Sequence, residues 1–154
     1  MASPAWPSQN LRNLERTGAL KHEGSSAAEI RRLLELARGN LTSAALKNNP
    51  LEVRYQVAYA AAHYFALAAL RANDFRTAGR EGHRQLLFQA LPHSAGIDSS
   101  IALALDRAHR KRNELEYTGA VDVTEAETGS LIAAAGALQE SVIGWIKSHR
   151  PELI

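Results

Sequence analysis

Apolar residues at Ile30, Leu33, Leu34, Ala37, Leu41, Ala44 and Ala45 recur with the i, i+3, i+4, i+7 rhythm of one helix face. Ser26 and Glu29 stand just ahead of them as S-x-x-E, the pattern in which a serine caps a free backbone amide and a glutamate reaches back to the cap. The pattern predicts a helix that starts at Ser26, passes through Gly39 at a cost of about 1 kcal/mol relative to alanine, and stops at Asn48, Asn49 and Pro50. Pro50 suits the first position of the next helix with Asn49 as its cap, and Leu51 to Ala72 then runs without a breaker until Asn73 and Asp74 close it. The segment AYAAAHYFALAAL within it is apolar nearly all round, which predicts burial against several neighbours or at a subunit interface.

Weaker periodicity flanks this pair. A short helix is expected over Asn10 to Ala19, before the break at Gly24 to Ser26. The polar, glycine-punctuated link FRTAGREG leads to a second short helix, His83 to Leu91, which Pro92 and Gly96 end. Asp98 or Ser99 caps a helix over Ser100 to Tyr117 with Ile101, Leu103, Leu105, Ala108 and Leu115 as core positions. Thr124 and Glu127 repeat the capping box and open a last helix to about Ser148. Met1 to Ser8, with its prolines and serines, reads as a flexible tail in which Trp6 docks, and residues 9–150 as one domain. The expectation is an all-α fold, an up-and-down helical bundle of four long helices plus one or two short ones.

Composition sharpens the fold class and removes several chemistries. At 154 residues the chain has the length of one domain, and it is 45% hydrophobic but only 6% aromatic, with much of the apolar content alanine, which suits closely packed helices. The absence of cysteine excludes disulfides, zinc-thiolate sites and cysteine nucleophiles. No metal-ligand spacing occurs, and TAGREGHR fits neither dinucleotide nor P-loop spacing, so no metal and no cofactor is expected. The N-terminus lacks the basic and apolar regions of a secretory signal, and no apolar run reaches the roughly 18–20 residues that span a bilayer, so no membrane association and a cytoplasmic location are expected.

A net charge of +2 is too small to mark a nucleic-acid-coating protein, but its distribution is uneven. The stretch DRAHRKRNELEYTG, from Asp106 to Gly119, places Arg107, Arg110, Lys111 and Arg112 within six positions, so one at least must face whatever the helix packs on. Arg76, Arg80, His83 and Arg84 form a second basic group suited to a nucleic-acid lip, with Arg110 and Lys111 as further phosphate contacts. Arg112 with Glu116, and Arg110 with Glu114, have the i, i+4 spacing of ordinary helix ion pairs. His109, three residues before Arg112, shares its surface, whereas His63 in the apolar helix reads as a hydrogen-bonded core residue.

Three segments together, RYQVAYAAAHYFALAAL, DFRTAGREGHRQ and DRAHRKRNELEY, resemble the HEPN superfamily over Pro50 to Ile146. The resemblance implies a homodimeric helical bundle whose Arg-(four to six residues)-His motif lines a shared cleft and, in many members, cuts RNA without metal as a toxin or defence component. It places the family arginine on Arg112 and the next polar residue on Asn113, while the family histidine falls on Tyr117. Tyrosine, with an ordinary pKa near 10, is a poor base at neutral pH where histidine, near 6.5, exchanges protons readily. Arg112, Asn113, Glu116, Tyr117 and His109 are therefore the candidate catalytic residues, with RNA or a nucleotide as ligand. The alternative is a catalytically degenerate interaction module that binds a nucleotidyltransferase antitoxin or another protein.

Overall fold

The computed structural model describes residues 8–79, 83–119 and 122–154, the side chains of His83 and Arg84 excepted. Among these residues six α-helices and a two-stranded ribbon follow one another: α1 (Gln9–Arg16), β1 (Leu20–His22), α2 (Ala27–Ala45), α3 (Leu51–Ala72), β2 (Phe75–Thr77), α4 (His83–Ser94), α5 (Ser99–Thr118) and α6 (Glu125–His149). A 3-10 turn, Pro151–Leu153, follows α6 and buries Leu153. The expected tail lies outside the described residues except for Ser8, whose hydroxyl caps α1 at the Asn10 amide.

α3 is the axis of the bundle. Thirteen of its 22 residues are buried, most of them alanines, and it packs chiefly on α2 and α6, with α4 and α5 also against it. Small side chains allow these close approaches, while Phe65, Phe88, Leu34, Leu70, Leu105 and Leu138 fill the space between helices. The near-continuous apolar surface that periodicity assigns to this segment is thus covered inside one chain.

Several local expectations are corrected. α1 stops at Arg16 rather than Ala19, because Gly18 turns the chain at φ +83° into β1. The strands themselves were not expected; at three residues each they are too short to alternate visibly, and they pair antiparallel with Leu20 opposite Thr77 and His22 opposite Phe75. Pro50 is the N-cap of α3 rather than its first residue, and the Asn49 amide donates to the Ser43 carbonyl instead of capping. α4 runs through Pro92 to Ser94, the chain turning only at Gly96, φ +65°. Leu103 is 57% exposed instead of core, whereas Leu105 and Ala108 are buried as expected. By length and composition α6 is apolar enough to cross a membrane, with mean hydropathy 1.2, although Gln139 and Glu140 interrupt it; here it lies along α3 in the bundle.

The caps explain why the long helices begin where they do. At α6 the capping box is complete, Thr124 accepting from the Glu127 amide at 3.1 Å and Glu127 from the Thr124 amide at 3.3 Å. At α2 only half of it forms: Ser26 accepts from the Glu29 amide at 3.1 Å, but the Glu29 carboxylate turns to Arg71. Arg71, 6% exposed, donates to Glu29 at 2.7 Å and to the carbonyls of Glu23, Gly24 and Phe75 at 2.9 to 3.2 Å. The hydrogen bond to Glu29 holds its guanidinium above the ordinary arginine value. Arg71→Met leaves three carbonyls and a carboxylate without their donor, and is expected to cost about 3 kcal/mol in urea unfolding, because lost charged hydrogen bonds leave their partners desolvated.

Candidate functional site

α5 distributes its cations around its circumference. Consecutive residues on a helix are about 100° apart, so Arg107 and Lys111 share one side while Arg112 points away from them. Lys111 pairs with Glu127 of α6. Arg110 turns back to Asp106 at 2.9 Å rather than forward to Glu114. Arg112 is the cation that faces α3: its side chain is 22% exposed, its guanidinium carbon lies 5.3 Å from the centre of the Tyr59 ring, and Glu116 holds it at 2.6 Å as the spacing predicts.

Around that arginine a polar chain crosses from α3 to α5. Tyr59, only 2% exposed, meets His109 Nδ1 through its hydroxyl at 2.7 Å, and the two rings stack with centroids 6.0 Å apart. The Asn113 amide nitrogen is 3.3 Å from His109 Nε2. With Asn113 donating there, Nε2 is the lone-pair nitrogen and Nδ1 carries the proton, given to the Tyr59 oxygen. Above this chain a groove of about 310 Å³ opens between the helices, lined by Gln56, Tyr59, Ala60, His63, Tyr64 and Arg112.

The structure therefore brings together Arg112, Asn113, Glu116 and His109 on one side of α5, and it does not bring Tyr117 to them. Five residues along a helix is about 140° of rotation from Arg112. α5 continues through Thr118 before Gly119 caps it at φ +62°, and Tyr117 is left 88% exposed. Lys111 and Arg110 point to other faces. Arg76 sits on β2, paired with Glu23 at 3.4 Å. Arg80 lies outside the described residues, as do the side chains of His83 and Arg84, which open α4.

Tyr59, Tyr64 and Gln56 were not singled out from sequence, and His63 was assigned to the core although it lines the groove. The available signal was the i, i+4 step from Tyr59 to His63, polar-tipped rings interrupting an alanine run. Among the described residues no group of acidic or histidine side chains is arranged to hold a metal. Chemically the groove offers a cation, an imidazole and an amide, the set that binds a phosphate and moves a proton near it. No family of known proteins, no curated protein and no solved structure matches this chain.

A second groove, of about 420 Å³, lies on the other side of α5, where Ala104, Arg107 and Lys111 face Ala126, Ser130 and Ala134 of α6 over Tyr55. Burial, with a contribution from the Glu127 carboxylate, pushes the Tyr55 phenol up to about 12 from 10.0. A phenol whose pKa is higher folded than unfolded keeps its proton longer in the native state, so stability is lost as pH rises from 10 toward 12. Tyr55→Phe is expected to remove that part of the alkaline destabilisation, read as the difference in urea midpoint between neutral pH and the alkaline window.

The Tyr59 to His109 contact makes its own prediction. Nitrogen-detected NMR should show His109 as the Nδ1-protonated tautomer, and Tyr59→Phe should shift it toward the other tautomer and cost about 1 kcal/mol, the usual net value of one hydrogen bond.

Proposed function

We propose that this chain is a HEPN-like domain that binds the phosphate backbone of RNA, or a nucleotide, in the groove between α3 and α5, and acts on RNA as a metal-independent endoribonuclease. The observation that carries this reading is the polar chain in which Arg112 and His109 meet Tyr59 and Asn113 meets His109, beside a groove that Tyr59, Arg112 and His63 line. Arg112 supplies the charge for the phosphate and for the phosphorane that forms from it. His109 takes the place that the resemblance assigns to Tyr117. When Asn113 yields Nε2 to the substrate, the imidazole accepts the 2′-hydroxyl proton as that oxygen bonds to phosphorus, and the 5′ oxygen leaves with a proton from the imidazolium or from water. A toxin or defence role, homodimerisation and a nucleotidyltransferase antitoxin are what the HEPN resemblance adds to this reading.

One observation favours the interaction-module alternative. Both ring nitrogens of His109 already have partners within the chain, and Arg112 is neutralised by Glu116. A site in that state binds substrate only by exchanging these contacts, whereas a degenerate domain that docks a protein partner leaves them in place.

The deciding measurement is a time course of mixed RNA with purified protein in EDTA. The ribonuclease reading expects cleavage by the wild type, a loss of about a hundredfold or more in His109→Ala and Arg112→Ala, and near-normal rates in Tyr117→Phe. Cleavage that survives both substitutions assigns the activity to another site or to a contaminant, and no cleavage by the wild type gives the interaction module the lead.

A further inference from the structure

Between α1 and the turn from α3 into β2 lies a cavity of about 400 Å³, lined by Arg12, Glu15, Arg16, His22, Asn73 and Asp74. Arg12 and Arg16 stand one turn apart on α1, both exposed, and neither has an ion-pair partner among the described residues. The exposed Glu15 carboxylate is likewise unpaired there. Asp74 adds no free charge, because its two oxygens accept from the Ser25 amide at 3.1 Å and from Arg150 at 2.9 Å. The Phe75 ring, edge-on to His22 with centroids 5.6 Å apart, gives the cavity an apolar wall. Asn73 is its buried polar member, 1% exposed. The Asn73 Nδ2 donates to the Ala69 and Ser94 carbonyls at 2.7 and 2.8 Å, and because both partners only accept, the orientation of the amide is fixed. Its Oδ1 is thereby left buried with no donor among the described residues. Buried acceptors are nearly always paired, so this oxygen marks a place where a further donor belongs.

We propose that this cavity binds a small phosphate monoester of a polyhydroxy compound, a ligand of the sugar phosphate class. Arg12 and Arg16 offer two guanidinium forks to one dianion, and a phosphate has the three oxygens to accept from both. Phosphate alone leaves the rest of the cavity unanswered, because a dianion only accepts and the remaining groups are acceptors too. Glu15 and the Asn73 Oδ1 both require donors, and the hydroxyls of a sugar supply them while its C–H face rests on the Phe75 wall. The volume lies in the range of small-molecule sites. Asn73 is 14 residues, about 21 Å, along α3 from Tyr59, so this site is separate from the α3–α5 groove and the inference stands whether or not that groove binds RNA.

Calorimetric titration of the full chain with glucose 6-phosphate, ribose 5-phosphate, inorganic phosphate and glucose tests it. Saturable binding of at least one sugar phosphate is expected below about 1 mM, with inorganic phosphate about tenfold weaker or more and glucose weaker still. Arg12→Gln and Arg16→Gln, at exposed positions, should each weaken the sugar phosphate about tenfold and leave the thermal unfolding curve unchanged. Glu15→Leu should weaken the sugar phosphate and not inorganic phosphate, whereas a site that reads charge alone would gain affinity for both. Failure of both sugar phosphates to saturate the protein at about 10 mM overturns the proposal. So does inorganic phosphate that binds as tightly as they do, which would mark a general anion site, and so does binding indifferent to Arg12→Gln and Arg16→Gln. Tighter binding of a 5′-phosphorylated RNA oligomer, lost in the same two variants, would assign the cavity to RNA ends and overturn it as well.

Discussion

The bundle depends on one buried guanidinium. Arg71 stands one residue before the end of α3 and reaches the approach to α2, the first turn of α2 and the start of β2 at once. Asp74 extends the same knot. It adopts φ +62°, an unusual conformation for a residue other than glycine, and there its carboxylate accepts from the Ser25 amide at 3.1 Å and from Arg150, just past α6, at 2.9 Å. Arg150 also donates to the Ala72 carbonyl at 3.0 Å. The ends of α2, α3 and α6 are therefore tied at one pole of the molecule by charged hydrogen bonds, while alanine packing orders the helices along their length.

That arrangement determines what α3 has left to offer. With α2 and α6 on it, most of its circumference is covered, and the stripe running from Gln56 through His63 faces the groove beside α5. α5 has fewer neighbours on its outer side, so it can carry charge all round. The buried aromatic Tyr59 then selects which of the α5 cations turns inward. An arginine over an aromatic face keeps attraction when partly desolvated, and Arg112 occupies that position with Glu116 as its counter-ion.

Much of the fold was legible because its strongest signals are local. The α2 rhythm, the unbroken run of α3 and the Thr124 to Glu127 capping box each specify a helix without help from distant residues, and all three helices are present. The ribbon was hidden because its pairing joins Leu20 to Thr77 across 57 positions, a contact no short window contains. Glu29 was misread for the same reason: a capping glutamate and a glutamate awaiting a buried arginine 42 positions away have the same sequence signature. For the candidate site, Arg112, Asn113, Glu116 and His109 were legible as a group, and their partners on α3 were not, because Tyr59 and His63 look like core residues until α5 is laid beside them.

Tyr117 shows where motif spacing stops being a geometric argument. Two residues five apart share a cleft if the helix ends between them, or if a second chain brings the far side of the helix back. Here α5 runs on to Thr118, so Arg112 and Tyr117 point in different directions within one copy. His109, Arg112, Asn113 and Glu116 stand at offsets of three, four and seven, the separations at which side chains on a helix stack above one another. An imidazole three residues before the arginine, instead of four to six after it, therefore stands on the same stripe of α5 and meets the same Tyr59. That leaves Tyr117 as a surface phenol rather than a member of the polar chain, in which His109 joins Tyr59 to Asn113.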